Sequence, residues 1–314
     1  MSHDVVTLGE ALVALVADEG RPLVDPGSFT PFVAGAEANV AMGLARLGRS
    51  VSYIGRVGAD GLGQLVRNGL RGEGVDVSRL RDDPAAPTGA LARDRRLLPP
   101  AEVVYLRRGS AASQLDPADV EAAAEDIAGA RWLHLTGITP ALSPSCRAAV
   151  GRALELARAG GVRVSLDVNL RRRLWSEQEA AEVLAELAEG CDVVIAGEDE
   201  AALLCGSAEA TALAERFGAE AVVKLGARGA VGWRNGEWAD DAGIAVAPVD
   251  VVGAGDAFTA GYLDALLDGA GLAESLRRAN ACGAIAVAAV GDATGLPTRS
   301  ELERVLAGGA DVVR

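Results

Sequence analysis

Lysine is almost missing from this chain: of 30 basic residues in 314, Lys224 is the single lysine and the others are arginines. That scarcity excludes a Walker A phosphate loop, which needs Gly-Lys-Ser/Thr, because Lys224 is followed by Leu225. Cysteine is scarce as well. Cys146, Cys191, Cys205 and Cys282 lie far apart with no Cys-x-x-Cys spacing, which points to buried thiols rather than disulfides or zinc ligands. No apolar run is long enough to span a bilayer, and the longest candidate, around residues 281–290, reads as a buried helix. The amino terminus has no basic segment leading into an apolar one, so no secretory signal is expected and the expected location is the cytoplasm. Basic charge is outnumbered, 44 acidic to 30 basic residues, for a net charge of -14. Such a surface repels polyanions and excludes a nucleic-acid partner, so an anionic ligand must be met by a local group of arginines.

What is present is apolar and regularly punctuated. Half the residues are hydrophobic, enough for one large α/β domain with a small appendage or for two modest domains. Val5-Val6-Thr7-Leu8 reads as a first buried strand, and a helix ending at Gly48 follows Ala34-Gly35-Ala36. Residues 51–58 form a strand that leads into another helix. Further strands are expected at 132–135, 163–167, 193–196 and 221–225, with helices between them, including one over 177–189. This alternation is that of βαβ units and a parallel sheet. Two stretches break it. Residues 11–33 and 88–108 are extended, the second carrying Arg93, Arg95, Arg96, Arg107 and Arg108, and together they can form a small separate sheet.

The chemistry concentrates in Gly253-Ala254-Gly255-Asp256. Two glycines there can take positive φ and let the backbone approach a ligand, and the apolar run that follows reads as a helix with Phe258, Leu263, Leu266 and Leu267 on a buried side. A helix starting near Gly255 aims free N–H groups and the positive end of its dipole at an anion. A dinucleotide fingerprint is excluded, since Phe258 stands where a third glycine is required. Asp256 can be an ordinary first-turn aspartate complementing the dipole. Beside an anion cradle it reads better as the base that takes a proton from a hydroxyl during phosphoryl transfer, held ionised by the dipole.

With these residues in view, the sequence resembles the ribokinase-like (PfkB-type) carbohydrate kinases over nearly its whole length. The resemblance rests on Ala34-Gly35-Ala36-x-Ala38-Asn39-x-Ala41, on Gly58-x-Asp60-x-x-Gly63, and on Asp250-x-x-Gly-Ala-Gly-Asp256. It implies a single α/β unit over residues 1–314: a three-layer αβα domain with a mostly parallel central sheet, plus a small β-sheet lid from the two extended stretches. It also implies ATP-dependent phosphorylation of a hydroxyl, with Mg²⁺ and room for a monovalent cation, and pairing into a homodimer or higher homo-oligomer through the lid. Within the family, Gly35-Ala36-Glu37-Ala38-Asn39, residues 104–113, Asp167-Val168-Asn169-Leu170-Arg171 and Gly291-Asp292 look like 2-keto-3-deoxygluconate kinases. Fructokinases share part of this pattern, so Tyr105 and Arg107 carry the distinction. A non-catalytic sugar-binding relative is expected to have lost the base or the cradle, and a nucleoside kinase would leave Arg107 and Arg171 facing no carboxylate.

The resemblance assigns roles residue by residue. Asp256 is the base and Gly253, Ala254 and Gly255 the anion hole. Gly35, Asn39, Tyr105, Arg107, Arg171 and Asp292 fall at the sugar, where a guanidinium can bind a substrate carboxylate bidentately. Lys224, Gly226, Gly229 and Asn280 fall at the nucleotide, and Glu200 near the metal through water. Each has a plainer reading: Gly35 and Asn39 as a helix entry, Tyr105 as lid core, the arginines as solvated charge, the glycines as a turn, Asn280 as a helix-face residue, Asp292 as a loop cap. Asp60 is open between sugar hydroxyls and its own turn. Two departures from the family pattern stand out: Gly197 where an asparagine is usual three residues before Glu200, and Val251-Val252 where two threonines usually precede the glycine loop.

Overall fold

The computed structural model describes residues 2–18, 21–94, 96, 102–291 and 293–308. Thirteen strands occur among them: β1 Val5–Leu8, β2 Leu12–Ala17, β3 Phe29–Ala34, β4 Val51–Gly58, β5 Leu80–Asp83, β6 Ala90–Arg93, β7 Val103–Leu106, β8 Trp132–Thr136, β9 Arg163–Asp167, β10 Val193–Gly197, β11 Glu220–Lys224, β12 Ala230–Arg234 and β13 Glu237–Asp241. Nine form one sheet in the order β13-β12-β11-β10-β9-β8-β1-β4-β5. From β11 to β5 every pairing is parallel, and β12 and β13 add an antiparallel edge.

The strands read as unbroken apolar runs because both faces of the sheet are covered. Val5, Val193, Ile195 and Val222 point into one core with Phe258, Leu263 and Leu276. Their neighbours Val6, Val194, Ala196, Ala221 and Val223 point into a second core with Leu184, Leu213 and Phe217. The result is a three-layer α/β fold, as the alternation of strands and helices predicts. No helix among the described residues is long and apolar enough to cross a membrane.

The helix Ala254–Leu267 lies at the centre of one layer, against the helices Ala36–Arg46 and Leu272–Ala286. It is buried all round from Ala257 to Leu267, not along one side as its sequence suggests. Its far end is fixed by charge. Asp264 is fully buried and accepts from Arg49 Nε at 2.6 Å, Arg278 Nη1 at 2.6 Å and Arg299 Nη1 at 2.9 Å, from three separate parts of the chain. The apolar run around 281–290 is helical only as far as Ala286.

The extended stretches form a four-stranded sheet, β3-β2-β6-β7. It is rooted at the carboxyl end of β1, because β2 begins four residues after Leu8. Leu12, Ala14, Val16, Ala34 and Leu91 make its own small core. Phe29, Val104 and Leu106 are exposed on it. In the parallel sheet the carboxyl ends of β1, β9, β10 and β11 deliver Glu10, Asn169, Gly197 and Lys224 to one crevice, where open α/β sheets bind ligands.

Candidate active site

A cleft of ≈ 690 Å³ opens between the two sheets and is lined by Gly35, Asn39, Tyr105, Arg107, Arg171, Glu200, Lys224 and Asp256 among others. A second cleft of ≈ 490 Å³ adjoins it, with mostly apolar walls from Ile244, Val246, Pro248, Phe258 and Val287. Lys224, Val251 and Gly255 border both, so they stand at the junction.

At that junction the central helix starts. Gly253 is its N-cap with φ 81, a left-handed conformation that favours glycine. Gly255 is different from the expectation: its φ is not positive, and its missing side chain keeps space near Lys224, whose Nζ would lie 3.6 Å from a Cβ built there. Asp256 sits in the first turn, partly buried at the cleft wall, and accepts from Asn39 Nδ2 at 2.7 Å and from Asn169 Nδ2 at 3.5 Å. Burial pushes its pKa up to about 7; Asp167 adds to the rise, while Asn39, Arg171 and Lys224 oppose it. The expectation of a carboxylate held at low basicity by the dipole is therefore corrected: desolvation outweighs the helix end.

Lys224 donates from Nζ to both oxygens of buried Asp167 at 2.8 Å each, and Thr259 Oγ1 donates to the same carboxylate at 2.8 Å. Burial works against the ammonium, but Asp167, Glu200 and Asp256 together raise its pKa, so it carries charge at neutral pH. Asp167 was read only as part of a pattern; the structure makes it the residue that aims the lysine.

Glu200 opens the helix Glu198–Cys205 and accepts Gly197 N–H at 2.6 Å through Oε2 and Leu170 N–H at 2.7 Å through Oε1. It ties the end of β10 to the segment after β9, where Asn169 is held at φ 41. A non-glycine residue there is uncommon and of the kind concentrated at functional sites. Among the described residues no group of three or more His, Cys, Asp or Glu could cage a metal ion.

On the side of the small sheet, Gly35 has no alternative: a Cβ would stand 2.2 Å from Glu10 O at φ +130. Asn39 spends its amide N–H on Asp256. Tyr105 is exposed at the cleft rather than core of the small sheet, and its ring lies 5.3 Å from the Arg107 guanidinium carbon. Arg107 is already paired with a carboxylate, Nη2 standing 2.6 Å from Oε2 of buried Glu10. Glu10 has its pKa raised by burial against the pull of Arg107 and Ser110. Glu37, behind it, is raised by burial although Thr136 and Thr139 donate to it. Sequence reasoning gave neither acid a role, quoting Glu37 only within the Gly35–Asn39 pattern; their local signal was an acidic residue in an otherwise apolar run. The Arg171 guanidinium has no hydrogen bond or ion pair among the described residues and acts on Asp256 through its field alone.

On the other side, Gly226 has φ 62, and Gly229 cannot carry a side chain because a Cβ would meet Asp241 O at 1.9 Å. Asn280 lines the apolar cleft but donates its amide to Asp241 O and Oδ1, at 3.1 and 2.7 Å, so it holds the strap after β13 in place. Asp60 accepts from Gly63 N and from Thr88 N and Oγ1, at 2.8, 2.9 and 2.8 Å, which is the turn-fixing reading, and it does not line the cleft. Asp292 lies outside the described residues.

A helix N-terminus that carries a half-buried acid in its first turn beside a charged lysine, between a polar cleft and an apolar one, is the arrangement of a phosphotransferase. Residues 2–299 match the pfkB family carbohydrate kinases. The chain is 37% identical over 319 residues to a 2-dehydro-3-deoxygluconokinase of Bacillus subtilis, covering 98% of this chain and 96% of the relative. It is also 37% identical over 317 residues to a fructokinase of Escherichia coli, covering 96% and 99%. Among solved structures, a putative ribokinase II of E. coli in complex with ATP and Mg²⁺ superposes with a TM-score of 0.89 at 28% identity, covering 98% of this chain and 100% of that one. The chain belongs to the pfkB family of carbohydrate kinases.

Proposed function

We propose that this kinase phosphorylates the terminal hydroxyl of 2-keto-3-deoxygluconate, giving its 6-phosphate. The observation that carries the reading is Arg171, a guanidinium in the sugar cleft of a protein of net charge -14 that has no ion pair among the described residues. A substrate carboxylate supplies the missing partner, and charge-assisted bonds to it discriminate strongly against a neutral sugar. Tyr105 and Arg107 flank the same space. One observation favours a second reading, a fructokinase: Glu10 already neutralises Arg107, which leaves one unpaired guanidinium instead of two. A non-catalytic relative is disfavoured by the retained base and glycine loop.

In the mechanism, the terminal hydroxyl lies against Asp256, which accepts its proton as the hydroxyl oxygen bonds to the γ-phosphorus of ATP and the bond to the β–γ bridging oxygen breaks. Asn39 and Asn169 orient the carboxylate. The N–H groups of Gly253 to Asp256 and the Lys224 ammonium meet the charge that gathers on the phosphoryl oxygens. The apolar cleft beside Gly226 and Gly229 takes the adenine. Glu200, whose two oxygens already accept backbone N–H groups, would reach a magnesium ion only through water, and such an ion would neutralise phosphate charge. The small sheet acts as a lid that excludes water from the acceptor. Its exposed Phe29, Val104 and Leu106 support pairing with a second copy through that face. The four free cysteines suit a reducing compartment such as the cytoplasm.

A coupled ATP-consumption assay across 2-keto-3-deoxygluconate, fructose, ribose and nucleosides tests the reading. The acid is expected to have the highest kcat/KM; a higher value for fructose overturns it in favour of the second reading.

A further inference from the structure

The small sheet meets the phosphate loop through a buried ion pair that the mechanism above does not use. Arg93, the last residue of β6, and Asp250, three residues before Gly253, are 157 positions apart, with relative exposures of 2% and 3%. Arg93 Nη2 donates to Asp250 Oδ2 at 2.6 Å, and Nη1 approaches Oδ1 at 3.4 Å, a two-pronged arrangement. The same carboxylate accepts two backbone N–H groups: Val252 at Oδ1, 3.2 Å, and Gly291 at Oδ2, 3.2 Å. It therefore shapes the turn that ends in the left-handed Gly253 and anchors the separate loop at Gly291.

A carboxylate with so little exposure needs a compensating charge, and removing one partner of such a pair leaves the other stranded. Here the cation comes from the small sheet. We propose that Arg93 is a positioning residue for phosphoryl transfer: by neutralising and orienting Asp250 it sets the turn at Gly253, and so the aim of the N–H groups of residues 253–256, from the sheet that covers the acceptor. The arrangement makes the geometry of the phosphate loop conditional on the seating of β6. The inference rests on the reading of residues 253–256 as the transfer loop.

The test compares kcat and KM for sugar and ATP in Arg93→Ala, Arg93→Lys and Asp256→Asn, each with and without added guanidinium chloride at millimolar concentrations below any unfolding effect. Arg93→Ala is expected to lose kcat by 10-fold or more with KM for both substrates changed less than threefold, and guanidinium is expected to restore at least part of that kcat. Arg93→Lys, a point charge without the fork, is expected to fall between. Asp256→Asn is expected to be inactive and not rescued. Loss of kcat in Asp256→Asn with unchanged kcat in Arg93→Ala overturns the role of Arg93 alone, whereas near-normal turnover in Asp256→Asn overturns the loop reading beneath it. If Arg93→Ala does not fold, the charge-free pair Arg93→Gln with Asp250→Asn replaces it. Full kcat in that double variant overturns the proposal; a kcat loss with thermal stability retained supports it.

Discussion

Lys224, the only lysine in the sequence, places its ammonium 2.8 Å from both oxygens of Asp167, and it does so at the boundary between the polar cleft and the apolar one. A flexible charge beside the start of the central helix is thereby given one direction. Thr259, on the central helix, donates to the same carboxylate and ties the lysine to the helix that carries Asp256. Replacement of Lys224 by Met leaves Asp167 buried without its cation. Breaking such a pair costs about 3–5 kcal/mol, so a lower melting temperature is expected, together with a raised KM for ATP. Melting with and without ATP separates the two effects: the ligand-induced shift should shrink as well as the baseline.

Asp256→Asn keeps the shape of the site and one accepting oxygen for Asn39, gives up the long contact from Asn169, and removes the proton acceptor. Turnover is expected to fall by about 10²-fold or more with KM for sugar and ATP little changed. Near-normal kcat excludes Asp256 as the base.

The raised pKa of Asp256 has a direction that can be measured. The ionised form is the base, and it is the minor form below about pH 7 in the free protein. A profile of kcat/KM against pH should therefore fall on the acid side of about 7 and level off above it. A profile flat down to pH 5 contradicts a raised pKa on a base at this position.

Arg171→Ala and Arg107→Ala separate recognition from structure. Loss of a hydrogen bond to a charged group is worth roughly 1.5–3 kcal/mol, so Arg171→Ala should raise KM for 2-keto-3-deoxygluconate by about 10-fold or more and leave fructose nearly unaffected. Arg107→Ala should do the same and also lower the melting temperature, because it strands buried Glu10. Equal effects on acid and neutral sugars count against a carboxylate contact.

Two buried or paired groups lose their stabilising contributions in different acid ranges. Burial lowers the pKa of His134 from 6.5 to about 4, so the folded state favours the neutral ring; its contribution is full above about 6.5 and fades as pH drops toward 4. Asp268 sits at about 2, where Arg278 and Arg49 outweigh its burial; its contribution is full above 3.8 and is lost as pH falls through about 2. Between pH 7 and 4 the His134 loss is opposed by Asp256, Glu10 and Glu37, whose raised pKa values make protonation favour the fold, so its contribution is read as the stability difference between wild type and His134→Gln, which should shrink as pH falls from 7 toward 4 in denaturant unfolding.

The parallel sheet was legible in the sequence because strands covered on both faces leave continuous apolar runs, and the expected strands at 132–135, 163–167 and 193–196 fall on β8, β9 and β10. The glycine loop and the acid after it were legible for a local reason: a helix start, a positive φ at Gly253 and a first-turn Asp256 lie within four residues. What the tertiary structure decided is what each polar group faces. Whether Asp60 meets sugar or its own turn, whether Arg107 is free or held by Glu10, and whether Asp256 is weakly or strongly basic depend on neighbours many residues away and on burial. The pairs Lys224–Asp167 and Arg93–Asp250, separated by 57 and 157 positions, leave no local pattern at all. Local sequence fixes backbone geometry and periodicity; charge pairing and desolvation are properties of the assembled fold.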